Sequence, residues 1–156
     1  MAETNPSDPI FEINQIYVKD LSFEAPNSPR IFTHEYKLKY DHDFEVVQQP
    51  LDATNGIFES QLKSTVTAKT EDGDIAYVTE CHQAGIFTLK GYNQETLNEM
   101  VKKACPQLLF PYLRETIGQV IAKGGFPAYY LPPVSIALMY ENKNVASDDS
   151  DNGSIS

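Results

Sequence analysis

The sequence of 156 residues predicts an α+β domain, in which an antiparallel sheet comes first and helices from the later part of the chain cover one of its faces. Up to about residue 82, apolar side chains alternate with polar ones, as they do along half-buried strands. From Asn93 onward, apolar residues recur at helical spacing instead. The other face of the sheet is left for solvent or a partner.

The first strand is predicted to contain a bulge. Phe11 and Ile13 lie on one parity, whereas Ile16 and Val18 lie on the other, and one inserted residue produces this change of face. Residues 32–40 then alternate cleanly and predict a half-buried strand or an extended crossover.

A β-hairpin is predicted from residue 57 onward. Residues 57–69 alternate, the strand returning from Ile75 alternates as well, and Asp72-Gly73 between them is a typical hairpin turn.

Two helices are predicted to follow. Asn93 can cap the first, which presents Leu97, Met100 and Val101 on one stripe and is closed by Pro106. The second begins at Pro111, a favourable first-turn residue, and stops at Gly124-Gly125.

The formal net charge of −10 argues against nucleic acid and anionic membrane surfaces as partners. Residues 41–80 hold nine acidic side chains against only Lys63 and Lys69, which predicts one strongly negative face. No secretory signal or stretch of membrane-spanning length is visible, and Cys81 and Cys105 form no C-x-x-C pair. The chain is therefore predicted to be cytoplasmic, with two free thiols and no insertion into a membrane.

One domain is expected over residues 10–143. Residues 1–9 are polar and contain prolines, which predicts a flexible N-terminal segment. Residues 144–156 are rich in Ser, Asp and Asn, which predicts a disordered acidic tail.

Motifs for nucleotide phosphates, zinc hydrolysis and serine nucleophiles are absent from the sequence, so no cofactor, metal site or catalytic residue is predicted. The triplet Asp41-His42-Asp43 cannot converge on one ion along a strand, because neighbouring side chains point to opposite faces. His34 continues an apolar parity and is expected to be partly buried, and His82 shares a face with Glu80 and can pair with it. A small α+β enzyme using His34 or the triplet remains the least favoured hypothesis.

Two other features are candidates for binding. Residues 126–134 interleave aromatic side chains with prolines, and they predict either the wall of an apolar groove or packing over the second helix. Asp20, Glu24 and Glu80 form an acidic set on two segments, which taken alone is typical of a solvated face.

Several motifs together resemble the SecB family of protein-export chaperones. They are Lys-Asp-Leu-Ser-Phe-Glu-Ala-Pro at 19–26, Ala-Gly-Ile-Phe at 84–87, Pro-x-Leu-Leu-Phe-Pro-Tyr-x-Arg-Glu from 106, Gly-x-Phe-Pro at 124–127 and Pro133-Val134. They occur in the family's order over residues 10–140.

The resemblance implies a four-stranded antiparallel sheet with two main helices on one side, assembled as a dimer of dimers. It implies an ATP-independent chaperone, not an enzyme, which holds unfolded precursor proteins and passes them to the SecA translocation motor. The acidic sheet face would bind the zinc-carrying C-terminal segment of SecA, and the zinc would belong to that partner. The matching SecA-binding residues are Asp20, Glu24, Val78 and Glu80. The predicted client groove contains Tyr36, Phe44, Tyr112, Phe126, Tyr129, Tyr130 and Leu131. The predicted tetramer interface contains Leu97, Met100 and Val101.

The chain departs from the family pattern at two places. Tyr36 stands where the family often has a tryptophan, and the proline that usually follows is missing. The helix after Pro133-Val134 is short. The family's second SecA contact is attributed to this C-terminal helix, so its length affects whether that contact is present. An alternative is therefore a SecB-like holdase with another handover partner, either a general chaperone or one that controls a toxin–antitoxin pair.

Overall fold

A computed structural model describes residues 8–139 and 141–142, and its centre is the predicted antiparallel sheet. Four strands lie in the order β1-β4-β3-β2. Their bounds are Ile10–Glu24 for β1, Leu38–Asp52 for β2, Ile57–Thr70 for β3 and Ile75–Lys90 for β4. The predicted terminal segments lie outside the described residues, apart from Asp8 and Pro9.

Strand β1 contains two bulges, one more than predicted. The first falls between Ile13 and Gln15, as the change of parity indicates, and the second falls between Val18 and Asp20. Each inserts one residue, so each moves the following side chains to the other face. The second bulge has the same sequence signal as the first, because the apolar parity changes again between Val18 and Leu21.

The segment after β1 differs from the prediction at its start. Arg30–Thr33 forms a 3-10 helix, so Phe32 does not belong to a strand, and β2 begins only at Leu38. This turn is held locally, since the Ile31 amide donates to the Asn27 carbonyl and the Thr33 hydroxyl donates to the Arg30 carbonyl. Residues 41–52 then continue β2, although their pattern contributed little to the prediction.

The predicted hairpin is confirmed. β3 and β4 pair in antiparallel register from Ile57 to Lys69, and Gly73 adopts a positive φ of 88° in the connecting turn. Glycine reaches this backbone region without the steric penalty that a Cβ imposes.

The predicted division into two helices at Pro106 is wrong. Helix α1 (Gln94–Glu99) is capped by the Asn93 side chain, as predicted, and runs through a π-helical turn (Met100–Ala104) directly into α2 (Cys105–Lys123). The Cys105 amide donates to the Met100 carbonyl, which is five residues earlier. This wider turn makes room for the ring of Pro106, and Pro111 lies inside α2 instead of starting it.

The core lies between α2 and one face of the sheet. Helix α2 packs mainly on β4 and β3. The odd-numbered residues of β4, such as Cys81 and Phe87, face α2. So do the even-numbered residues of β3, such as Leu62 and Val66. These four side chains are buried. The opposite face, here called the open face, is not covered by α2.

Two cysteines, both free, are buried in this core, and burial raises the pKa of Cys81 and of Cys105 to about 12. Across the part of the chain that the structure describes, no helix is long and apolar enough to cross a membrane.

Candidate functional site

The predicted SecA-binding residues lie together on the open face. Strand register pairs Glu24 with Val78 and places Asp20 opposite His82, next to Glu80 on the same side of β4. Asp20 and Glu24 are exposed, and the Glu80 side chain is 46% exposed. The structure thus brings all four predicted positions to one surface, which we call the acidic face.

Strand β2 extends the acidic face across the whole sheet. Asp41, Asp43 and Glu45 pair with Thr67, Thr65 and Lys63 of β3, so their exposed side chains share the open face. The sequence signal was the excess of carboxylates in residues 41–80, but only the register shows that they join the same surface. His82 pairs with Glu80 as predicted, with 2.8 Å between the His82 Nε2 and Glu80 Oε1 atoms.

A buried carboxylate, Glu59, organises the open face beside these acids. Its side chain is 7% exposed and accepts hydrogen bonds from the Lys19 Nζ at 2.8 Å, the Gln61 Nε2 at 2.8 Å and the Tyr17 hydroxyl. Tyr17 pairs with Ala84 of β4, and this small side chain leaves room for the tyrosine ring to reach across the strand to β3. We call this cluster the Glu59 cluster; no pattern in the sequence indicates it.

Opposing effects act on the pKa values of this cluster. Burial raises the pKa of Glu59. The hydrogen bonds from Lys19, Tyr17 and Gln61, together with the charge of Lys19, lower it by a larger amount, so the pKa lies below its ordinary value of 4.5. Burial and the neighbouring carboxylate raise the pKa of Tyr17 to about 12. Glu59 is therefore ionised at neutral pH and bound as an anion.

The Glu59 cluster holds the second bulge of β1. Lys19 is the inserted residue between Val18 and Asp20, and its ammonium group is tied to Glu59 on β3. Without this insertion, Asp20 and Glu24 would turn towards α2, because a slip of one residue reverses the faces of a strand. The bulge thus decides that these two carboxylates belong to the acidic face.

The predicted client residues on the loop after α2 divide into buried and accessible ones. Residues 126–131 form what we call the aromatic strap. Phe126 is 3% exposed and Leu131 is fully buried, so both belong to the core of this chain. Phe126 lies 4.9 Å from Tyr77, 5.0 Å from Phe32 and 6.2 Å from Tyr36, measured between ring centroids. Direct contact of Phe126 or Leu131 with a client would require the strap to move.

The centre of the strap carries the accessible aromatic side chains. Tyr129 is half-buried and lies over β2, whereas Tyr130 is 49% exposed with the Arg114 guanidinium 4.9 Å from its ring centroid. Tyr112 is 48% exposed on α2.

Strand β2 supplies an apolar row on its α2 side. Tyr40, His42, Phe44 and Val46 alternate with the acidic side chains, and all but His42 are half-buried. β2 is an edge strand, and α2 packs mainly on its neighbours β3 and β4. This row is therefore an apolar surface left open at the edge of the sheet, with the strap at its Tyr40 end, and it is the surface on which the predicted client groove would lie.

Two of the three predicted tetramer residues line a second apolar surface. Leu97, Met100 and Val101 are half-buried along α1 and the π-helical turn. Leu97 and Val101 line a cleft of about 210 Å³, together with Pro50, Phe58 and other apolar side chains at the end of the sheet. The Gln48 side chain donates to the Val101 carbonyl at 3.3 Å and ties β2 to this turn.

Comparison with known proteins identifies the family. The family model for preprotein translocase subunit SecB matches residues 4–147. The chain belongs to the SecB family. The protein-export protein SecB of Nitrosococcus oceani is 43% identical over 130 residues, which cover 83% of this chain and 79% of the relative. The protein-export protein SecB of a Janthinobacterium strain is 38% identical over 156 residues, which cover 99% of this chain and 93% of the relative.

A solved structure supports the fold of this SecB-family chain. The SecB-like chaperone of Mycobacterium tuberculosis, in complex with a peptide from an antitoxin, matches with a TM-score of 0.67 and 18% identity. The match covers 80% of this chain and 91% of that chain.

The residues considered for a small enzyme do not converge on one point of the described structure. His42 hydrogen-bonds to Tyr129, whereas Asp41 and Asp43 point to the opposite face of the sheet, as expected for a strand. His34 is exposed, not partly buried as predicted. Within the described parts of the SecB-family chain, no three or more His, Cys, Asp or Glu side chains are grouped so that they could hold a metal ion.

We expect Glu59→Gln to destabilise the protein by about 2 kcal/mol at pH 7, because a buried carboxylate that accepts charged hydrogen bonds is lost. The pKa of Glu59 is lowered on folding, so its stabilising contribution is present above the ordinary pKa of 4.5 and is lost as the pH falls through the folded value. The difference from the wild type should therefore shrink below about pH 4.5, as measured by urea unfolding at fixed protein concentration.

Glu45→Gln is the matched control, since Glu45 is an exposed carboxylate on the same face. A difference between wild type and Glu59→Gln that stays constant from pH 7 to pH 3 would contradict the assignment of an ionised, bound Glu59.

Proposed function

We propose that this SecB-family chain is an ATP-independent chaperone of protein export in the cytoplasm. It holds unfolded precursor proteins in an export-competent state and delivers them to the SecA motor without catalysing a reaction. The observation that carries this proposal is the division of one sheet into two surfaces. The acidic face lies on the open side, and the apolar groove lies on the α2 side, so that a client and the motor can be bound at the same time.

The acidic face is proposed to bind the zinc-carrying C-terminal segment of SecA. Asp20, Glu24 and Glu80 supply negative charge around the apolar patch of Val78, and the acidic residues of β2 enlarge the field. Charge of one sign on an exposed surface speeds association with a basic partner and selects against acidic ones. The zinc remains with SecA, and the chaperone needs no metal of its own for this contact.

The groove is proposed to hold apolar segments of the client. Each contact buries apolar surface, which contributes a favourable free energy of about 25 cal/mol per Å². The entropy that the flexible client loses on ordering offsets much of this free energy. A single groove therefore binds weakly, whereas several grooves on one assembly act together through their effective concentration. Such binding is tight for the whole client but allows each segment to leave quickly.

The assembly is proposed to be a homotetramer, formed as a dimer of dimers. Leu97, Met100 and Val101 on α1 and the π-helical turn are the proposed contacts between dimers, beside the apolar cleft described above. β1 offers a further apolar surface, because several of its large side chains are strongly exposed in the single chain. They are Phe11, Ile13, Val18 and Leu21, with exposures between 37% and 45%.

Reversing charge on the acidic face should remove SecA binding without affecting client holding. Asp20→Lys and Glu80→Lys are each expected to weaken binding of a synthetic SecA C-terminal zinc peptide at least about tenfold, because a favourable charge contact becomes a repulsive one. Calorimetric titration measures this affinity. Glu115→Lys, at an exposed position of α2, is the control for the change in net charge. Unchanged affinity in both variants would rule out the acidic site and favour a holdase with another handover partner.

Removing an aromatic side chain from the groove floor should impair holding. Phe44→Ser is expected to weaken suppression of aggregation of a guanidinium-unfolded client, because Phe44 is half-buried on the α2 side of β2. Val47→Ser is the control, since Val47 lies on the same strand but on the open face. Light scattering measures the aggregation, and equal suppression by the two variants would remove Phe44 from the groove.

A charge in the apolar stripe of α1 should divide the tetramer. Leu97→Asp is expected to yield dimers, because it places an unpaired carboxylate in an apolar contact. Asn98→Asp adds the same charge at the neighbouring exposed position and should leave four chains together. Sedimentation velocity reports the mass, and a Leu97→Asp variant that remains tetrameric would place the dimer–dimer contact elsewhere.

A further inference from the structure

The side chain of Tyr129 lies on β2 in the way that a bound aromatic ligand would. Its ring stacks on Tyr40, with 3.8 Å between ring centroids and an angle of 5° between the ring planes. The same ring is nearly parallel to that of His42, at 5.5 Å and 7°. Its hydroxyl is 2.7 Å from the His42 Nε2 atom. Three contacts on two residues of one strand thus define a flat site with a polar end.

The chain on either side of Tyr129 is fixed by buried residues, whereas Tyr129 itself is held through its side-chain contacts with β2. Phe126 and Leu131 are buried on either side of it, and the Arg114 Nε donates to the Leu131 carbonyl at 2.9 Å. Pro127 and Ala128 between them are exposed. Tyr129 can therefore turn away from β2 while both ends of the aromatic strap stay in the core.

The site beneath Tyr129 is open to other molecules once the ring leaves. β2 is an edge strand, so among the described residues no further strand lies beyond Tyr40 and His42 in the sheet. Phe44 continues the same row and joins the site to the floor of the groove. A polypeptide lying in the groove would pass directly over the two rings.

We propose, on the basis of the proposed chaperone function, that Tyr40 and His42 form a subsite for a tyrosine side chain of an unfolded client, and that Tyr129 is an internal occupant which the client displaces. A tyrosine reproduces both kinds of contact that Tyr129 makes, the parallel stack on Tyr40 and the hydrogen bond to His42. A phenylalanine reproduces only the stack, and a leucine reproduces neither. The subsite therefore selects tyrosine over phenylalanine and phenylalanine over leucine.

Displacement of an internal occupant makes Tyr129 a competitor of the client, which reverses the role predicted for it as part of the groove wall. The apparent affinity of the subsite for the client equals its intrinsic affinity multiplied by the fraction of time that Tyr129 leaves it free. Single aromatic pairs are weak, so the competition between Tyr129 and the client is modest. The Tyr129 side chain therefore leaves the subsite and returns to it readily.

The test uses the full chain and three synthetic peptides of Gly, Ser and Thr that differ only in one central Tyr, Phe or Leu. Binding is followed by NMR titration of the His42 ring signals and of the backbone amides of β2. Tyr129→Ala is expected to bind the Tyr peptide about fivefold more tightly than the wild type and the Leu peptide equally well. His42→Phe keeps a planar ring but removes the hydrogen-bond partner, and it should bind the Tyr and Phe peptides with equal affinity.

Val47→Ala is the matched control, because Val47 lies on the same strand β2 but its side chain is on the open face. It should leave the affinities of all three peptides unchanged. A Tyr129→Ala variant that binds the Tyr peptide less tightly or equally would overturn the proposal, and so would a wild type that binds the Tyr and Leu peptides with the same affinity.

A separate measurement distinguishes failure of this subsite from failure of the chaperone function. Wild type and Tyr129→Ala are both assayed for suppression of aggregation of reduced, guanidinium-unfolded lysozyme. If the wild type suppresses aggregation while the peptide series shows no preference for Tyr, the subsite is wrong and the holding function stands. If the wild type does not suppress aggregation, the proposed function itself fails.

Discussion

The ion pair between Lys19 and Glu59 is the contact on which the two-sided sheet depends. It holds the inserted residue of β1 against β3, two strands away, across the small side chain of Ala84. Upstream of this insertion Val18 faces α2, and downstream of it Asp20 and Glu24 face the open side. Because side chains alternate along a strand, this single inserted residue decides which side of the sheet carries the charge.

A sheet with two unlike faces would allow a small chain to serve the two kinds of partner proposed above. The face towards α2 has to be apolar, since it forms the core, and its extension onto β2 leaves Tyr40, Phe44 and Val46 only half covered. No described element of the chain covers the open face, so its exposed carboxylates, among them Asp20, Glu24 and Glu80, stay hydrated. One strand, β2, contributes to both surfaces through alternate residues, which places the apolar row and the acidic row within the thickness of one sheet.

Where the pattern of residues is local, the fold could be predicted from it. The β3–β4 hairpin follows from alternation around Asp72-Gly73, and the first bulge of β1 follows from the parity of Phe11, Ile13 and Ile16. The second bulge had the same kind of signal at Leu21 and was missed. The helical region was divided wrongly at Pro106, because a proline normally ends a helix, whereas here the π-helical turn before it makes room for its ring.

The sequence by itself determined the α+β class, the hairpin, the negative charge and, through its motifs, the family, because each of these rests on residues close together in the chain or on composition. Only the tertiary structure decided that Asp41 and Asp43 join the face of Asp20 and Glu80, that Glu59 is bound by Lys19 and Tyr17, and that Tyr129 lies on Tyr40 and His42. These contacts join residues 40 or more positions apart or depend on the register of neighbouring strands, and neither spacing nor periodicity encodes such pairings.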